Sequence, residues 1–431
     1  MKTALAFAGI LAFAAAAPAA EITLDGAIDY ALARSPAAVA ADAAYLSARA
    51  DLWQGWGNVM PQANATYSAS RYYDRETLRI GGTPIPGFVP ALHGYYASAQ
   101  VNQPLFAGGA LLWGVLSGRA SARAGEADRA SRRQQLTVDV ARAYFGVLKA
   151  EGLKTAADGT LAANRANEEL ARANYDNGAT SRAEYLKVVV LRGQAQVAAI
   201  AAEAGVATAR LSFFNVAGMP PDAAATFAPV EAGAAEDYGA LDGLIEEAMA
   251  NRPDAVRTAA EKRKADLAVR SAAAGYIPSV GASATYDWSD TQPPSREDWD
   301  ANDEWIVGLT ASWNLFDGFQ TKANMDRARA VAANARVAHD RLRDTVALDV
   351  TNAYYEYRRQ AETLAVAKET AAAADEEFRL VNELYALGGA SALELGDAQA
   401  RNVEASNAYV NAKYDFLAAD YDLRRALGRL R

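Results

Sequence analysis

The chain has 431 residues, no cysteine and a formal charge of −9, with 22% charged and 51% apolar residues. An acidic balance without clustered Lys and Arg argues against a nucleic-acid binder. Zero cysteines exclude a disulfide framework, a thiolate metal site and a lipid-modified N-terminal cysteine.

Alanine supplies much of the apolar share, so alanine-rich stretches mixed with Glu, Arg and Leu read as extended helix packing. Lys2 and the apolar run that follows it, closed by the small-x-small site Ala17-Pro18-Ala19, read as a signal peptide over residues 1–20. Beyond it no run of 18 uncharged apolar residues occurs, so a membrane span here has to be a β-barrel.

The remainder is written twice, as 21–230 and 231–431. Leu24-Asp25-Gly26 returns as Leu241-Asp242-Gly243, an offset of 217, and nine of the 16 positions from Leu24 to Val39 are identical to their partners. Further on the offset is 210: Leu105-Phe106-Ala107-Gly108 matches Leu315-Phe316-Asp317-Gly318, and Tyr175 with Gly178 matches Tyr385 with Gly388. The seven missing residues fall between Pro278 and Leu315, which predicts an exposed loop there in both copies.

Each copy opens with a helix of about 35 residues, 24–59 and 241–276, which Pro61 and Pro278 close. Hairpins follow over 62–106 and 279–316. Val280, Ala282, Ala284, Tyr286 and Trp288 alternate with Ser279, Gly281, Ser283, Thr285 and Asp287, and Trp305 to Trp313 alternates likewise. Period two is a strand with one apolar and one polar face. Trp305 and Trp313 bracket the apolar face at the length of a membrane strand, with Tyr286 and Trp288 completing an aromatic girdle. Each strand alone fits a soluble hairpin equally well; four of them behind a signal peptide point to an outer-membrane barrel. Four strands close no barrel, two copies give a filled eight-stranded one, and three give twelve strands around a lumen.

Helical hairpins then span 110–217 and 320–428. Each has one arm of roughly 65 residues, near 100 Å, and a return arm of half that length. Stacking the return arm end to end with a 35-residue helix restores the column, placing the turns at Gly178 and Gly388 at one tip and the strands at the other end.

Taken in order, the opening Leu24-Asp25-Gly26-Ala27-Ile28, the junctions Pro104-Leu105-Phe106-Ala107-Gly108-Gly109 and Trp313-Asn314-Leu315-Phe316-Asp317-Gly318, and the tips Tyr175-Asp176-Asn177-Gly178 and Tyr385-Ala386-Leu387-Gly388 resemble the TolC family. This family comprises outer-membrane efflux and secretion channels, and the resemblance covers residues 21–431. It implies a mainly α chain with β. Duplicated helical hairpins form a periplasmic tunnel, and four transmembrane strands per chain close a twelve-stranded barrel in a homotrimer. It also implies a place in the outer membrane of a Gram-negative bacterium, in contact with outer-membrane lipid and reaching into the periplasm. The partners it implies are a periplasmic adaptor (membrane fusion) protein, meeting the Gly178 and Gly388 turns, and an inner-membrane transporter.

By the same resemblance, Glu394 and Asp397 form an acidic constriction at the tip, where threefold repetition raises their carboxylate pKa values by mutual repulsion. Tyr385 and Glu184 match a tip-closing network whose arginine position is Ala390 here, with Arg182 as a substitute.

No enzyme chemistry is legible. His93 and His339 lie in different elements, and no glycine-rich loop precedes a Lys-Ser/Thr pair. No cofactor or metal site is expected. The acidic stretch Asp287, Asp290, Glu297, Asp298, Asp300, Asp303 and Glu304 reads as a solvated loop or a loose cation site. The function expected is a passive exit duct of a tripartite efflux pump or a type I secretion system. A periplasmic coiled-coil adaptor or scaffold without a pore is the alternative, although no lipoyl-like insert occurs.

Overall fold

The computed structural model describes residues 21–73, 79–81, 83–84, 93–222, 224–295 and 302–430. The signal-peptide reading and Glu297, Asp298 and Asp300 lie outside them. The elements run β1 (Glu21–Ile22), α1 (Leu24–Arg34), α2 (Pro36–Gly57), β2 (Gln62–Arg71), β3 (Arg79–Ile80), β4 (Thr83–Pro84), β5 (His93–Ala107), α3 (Ala110–Asp176) and α4 (Arg182–Ala217). They continue as β6 (Thr226–Phe227), α5 (Leu241–Asn251), α6 (Pro253–Ala273), β7 (Ser279–Asp290), β8 (Asp303–Ser312), α7 (Gln320–Asp340), α8 (Leu342–Ala386) and α9 (Ala392–Ala426). They form two compact units, one from 21–42, 130–252 and 343–430, the other from 43–129 and 253–342. Each unit takes matching pieces of both repeats, so the compact units and the sequence repeats divide the chain differently.

The expected opening helices are each two helices. Proline pushes the residue before it out of the helical region, and Ser35 (φ −65°, ψ 149°) and Arg252 (φ −70°, ψ 132°) are both extended. The Ser35 hydroxyl accepts from Ala38 N–H at 3.1 Å and so caps α2. The two long arms also differ. In the first copy α3 is one helix of 67 residues, whereas the second is interrupted at Arg341 between α7 and α8. Arg341 stays near-helical and its N–H bonds Val337 O at 3.0 Å, so the interruption is a single loosened turn.

The first unit is held by an aromatic core. Tyr144, Phe213 and Phe227 meet edge to face with ring centroids 5.0–5.9 Å apart, and Ile28, Val140 and Val147 pack around them. The Tyr144 hydroxyl lies 2.8 Å from Ile22 O and 2.7 Å from Ala228 O, fastening the parallel pair β1–β6 to α3. Burial pushes this phenol up to about 12. Helix α4 has the length and apolarity of a membrane span, yet only 17% of that apolar stretch is buried. Arg192 and Arg210 bind it to Glu168 and Glu151 of α3 at 2.8 and 2.7 Å.

In the second unit α2 and α3 approach at backbone distance. A Cβ on Gly118 would lie 2.7 Å from Asp51 O and 2.8 Å from Leu52 Cα, and one on Gly55 would lie 2.9 Å from Gly114 O. Glycine is required there by closeness. Four strands form one antiparallel sheet in the order β2-β5-β7-β8, with β3 and β4 paired apart from it, so β5 and β7 join the two repeats.

Candidate channel surface and helical tips

The sheet keeps its register across all four strands except for a bulge in β5 between Pro104 and Phe106. Tyr67 pairs with Ala97, Ala97 with Trp288, Ala99 with Tyr286, and Tyr286 with Trp305. Because side chains alternate, these residues share a face with Ala65, Val101, Ala284, Val307 and Leu309. The other face carries Thr66, Ser68, Gln100, Asn102, Ser283, Thr285 and Thr310. The apolar face is uncovered at β8, where Trp305, Val307 and Leu309 are 69%, 78% and 75% exposed. Patches of that kind mark a surface made for another phase or partner. Trp313 is also exposed, and its indole N–H donates to Tyr276 O at 3.2 Å.

Tyr286 stacks at a tilt on Trp305, with centroids 5.0 Å apart. Trp288 departs from the girdle reading: it is fully buried and presents nothing to a surrounding phase. Alternation assigns a face, but not whether other chain covers it. On the polar face the Tyr96 hydroxyl donates to Asp287 at 2.7 Å, while Asp290, at the end of β7 on the face of Trp288, accepts from Asn302 at 2.7 Å. Among the described residues no group of three metal-ligating side chains comes together.

The two tips belong to the first unit. Gly178 (φ 74°) and Gly388 (φ 77°) end α3 and α8 in the left-handed region, where glycine carries no Cβ penalty. Both turns close identically: Ala179 N–H donates to Asn174 O and Gly389 N–H to Leu384 O, each at 2.8 Å. Ala171, Val188 and Ala392 form a small core against Tyr185 and Tyr385.

Glu184 stands close enough to Tyr385 for its charge to act on the phenol, with no hydrogen bond between them. Burial raises the Tyr385 phenol, and the neighbouring Glu184 charge adds to it. The cation on Glu184 is Lys187, one turn along α4 at 2.7 Å, in place of the Arg182 that the sequence suggested. Arg182 makes no ion pair with any described residue. The i,i+3 spacing of Glu184 and Lys187 is the sequence signal for this pair.

Glu394 caps its own helix. Its carboxylate accepts from Ser391 N–H at 2.7 Å and from Ser391 Oγ at 2.9 Å, while Glu394 N–H donates to Ser391 Oγ at 3.3 Å, a reciprocal capping box. Those bonds lower its pKa in the single chain, opposite to the rise expected from a ring of carboxylates. Asp397, one turn on, lines a groove of about 590 Å³ between α4 and α9 together with Lys187. Asn167 Nδ2 donates to Asn382 Oδ1 at 2.9 Å, joining α3 to α8, a contact between distant segments that no local pattern announces.

An amphipathic sheet whose two edges have no partner among the described residues, followed in each repeat by a long helical hairpin, defines an outer-membrane channel subunit. The match to known proteins agrees. The model of the family "Outer membrane efflux protein" covers residues 27–219 and 244–429, and the chain belongs to this family, whose place is the outer membrane. The outer membrane efflux protein BepC of Brucella suis biovar 1 (strain 1330) is 24% identical over 371 residues, 86% of this chain and 77% of BepC. The nickel-cobalt-cadmium resistance protein NccC of Alcaligenes xylosoxydans xylosoxydans is 30% identical over 268 residues, 59% of this chain and 54% of NccC. In fold, the Campylobacter jejuni CmeC outer membrane channel superposes with a TM-score of 0.81 at 14% identity, over 94% of this chain and 85% of CmeC.

Proposed function

We propose that three copies of this chain form a passive exit duct through which an inner-membrane transporter, coupled by a periplasmic adaptor, discharges its substrate across the outer membrane. The observation that carries this reading is the sheet. It has one apolar and one polar face, and β2 and β8 each leave an edge without a partner among the described residues. Unpaired edges do not persist in a bilayer, so the sheet must close on other copies. In a four-stranded antiparallel sheet the end strands run in opposite directions, so β8 of one copy pairs antiparallel with β2 of the next. Three copies give twelve strands and a lumen lined by the Thr, Ser, Gln and Asn face.

The turns at Gly178 and Gly388 are the adaptor-facing end, Tyr385, Glu184 and Lys187 hold that end together, and Asp397 with Glu394 surrounds the opening. No step in this role calls for catalysis.

The test is native mass combined with planar-bilayer conductance at asymmetric salt. A mass of three chains and discrete cation-selective steps are expected. Glu394→Ala with Asp397→Ala should raise ion flux and weaken cation preference. Any other copy number, or trimers that insert but stay silent even when Lys187→Glu loosens the tip, would overturn the duct.

A further inference from the structure

One face of α2 and its counterpart on α6 break the symmetry of the repeat. Val39, Leu46 and Trp53 on α2, and Met60 just beyond its end, recur every seven residues and all are exposed. At the offset of 217 their partners are Val256, Arg263, Arg270 and Ile277. Two bulky apolar side chains have become two guanidinium groups, while the flanking positions remain apolar.

Arg263 and Arg270 open onto a groove of about 600 Å³ between α3, α6 and α7, and Arg123 and Lys262 line it with them. Arg270 lies 5.2 Å over the ring of Trp113, which with Leu116 gives the groove an apolar wall. Arg123, Lys262 and Arg263 have no carboxylate partner among the described residues. Among the described residues the groove is lined by a single carboxylate, Asp266, which stands 3.9 Å from Arg336 of α7. His339, also on the wall, has a buried Nδ1 without a hydrogen-bond partner. An acidic protein thus gathers four cations and one already shared carboxylate around a single groove.

Guanidinium forks match phosphate oxygens, and clustered cations favour a multiply charged anion over a single carboxylate. The position says where such an anion comes from. Trp113 follows the last residue of β5, Ala107, by six positions, and Arg270 precedes the first residue of β7, Ser279, by nine. At helical rise both lie within roughly 15 Å of the strand ends, on the side of the sheet where the headgroup layer of the nearer leaflet begins.

We propose that this groove binds a phosphate group, presented by the headgroup of an anionic phospholipid in the leaflet nearest the helices. The proposal rests on the outer-membrane reading for the position of the lipid. It does not depend on what the channel exports.

Native mass spectrometry of the full chain in detergent, titrated separately with phosphatidylglycerol, phosphatidylcholine and inorganic pyrophosphate, tests it. One variant is Arg263→Leu with Arg270→Trp, the residues α2 already carries at the equivalent places. A second is Arg123→Gln with Lys262→Gln, so that misfolding of either leaves the other. The parent should retain phosphatidylglycerol at least tenfold more tightly than both variants, and phosphatidylcholine should bind weakly in all three.

Displacement of phosphatidylglycerol by pyrophosphate would support recognition of the phosphate itself. Variant-sensitive pyrophosphate binding without lipid retention would support the site but assign it a soluble phosphate compound. Equal retention of phosphatidylglycerol and pyrophosphate by the parent and both variants, or phosphatidylcholine held as tightly as phosphatidylglycerol, would overturn it. Copy number and conductance, measured on the same samples, keep a failure of the groove distinct from a failure of the duct.

Discussion

Ser181-Arg182-Ala183-Glu184 and Ser391-Ala392-Leu393-Glu394 stand in equivalent places after the two tip turns, and both serines accept from the glutamate N–H three residues on. Beyond that they diverge. Glu394 turns back and closes the capping box on Ser391. Glu184 turns to Lys187 and sits near Tyr385, with its Oε2 buried and unpartnered. One four-residue motif therefore caps its helix in both repeats, but closes the reciprocal capping box in only one of them. The motif permits the box; the neighbours decide whether the carboxylate is free to close it.

The same divergence runs through the shafts, where it is largest. Helices α2 and α3 touch through Gly55, Gly114 and Gly118, whereas the second copy has Ala272, Asn324 and Ala328 at those positions. Gly118→Leu must push backbone from backbone, and overpacking of that kind costs about 3 kcal/mol. Ala328→Leu should cost less than about 1 kcal/mol, since that position already holds a Cβ. Thermal unfolding of the two variants in one detergent measures the difference. Equal losses would mean that α6 and α7 are as tightly apposed as α2 and α3.

Next in size is the tyrosine pair Tyr144 and Tyr354, matched at the offset of 210. Tyr144 is fully buried and reaches two carbonyls, while Tyr354 is half-buried and its hydroxyl stands 3.5 Å from Gly239 O. Tyr144→Phe should cost about 1–2 kcal/mol, because Ala228 O loses its phenol partner in the core. Tyr354→Phe should be close to neutral. Denaturation midpoints of the two variants, recorded side by side, test this. A neutral Tyr144→Phe would show that β1 and β6 hold without it.

What was legible in the sequence was what repeats over short distances. Period-two alternation from Trp305 to Trp313 identifies a strand and its faces, and the glycines at 178 and 388 identify the turns, because both depend on local backbone sterics. Pro36 and Pro253 carried their breaks openly, yet the strong helical pattern on either side of them hid the extended residue before each. The Ser391–Glu394 capping box was also readable from spacing alone. Other features were not readable. The burial of Trp288, the Asn167–Asn382 contact and the groove around Arg263 each need segments far apart in the chain, which only the packed fold brings together.

The smallest expected effect returns to the two tips and uses pH to separate them. The Glu394 carboxylate is held below its ordinary value by the Ser391 N–H and hydroxyl, so protonation weakens the cap. A lowered folded-state pKa gives stability that is present above the ordinary glutamate value, about 4.3, and is lost as pH falls through the folded value. Amide exchange at the first turn of α9 should therefore quicken, relative to the intrinsic rate, as pH drops below about 4.3. In Glu394→Gln the carboxamide oxygen still accepts from Ser391 but does not titrate, so protection of that turn should become flat over the same range. The first tip supplies the control. Ser181 accepts from Glu184 N–H without a reciprocal bond from the carboxylate, so Glu184→Gln should release Lys187 and loosen α4 by well under about 1 kcal/mol, as an exposed pair does. If Glu394→Gln left the acid-dependent exchange of α9 unchanged, the capping box would not be its source, and the contrast between the tips would rest on Lys187 alone.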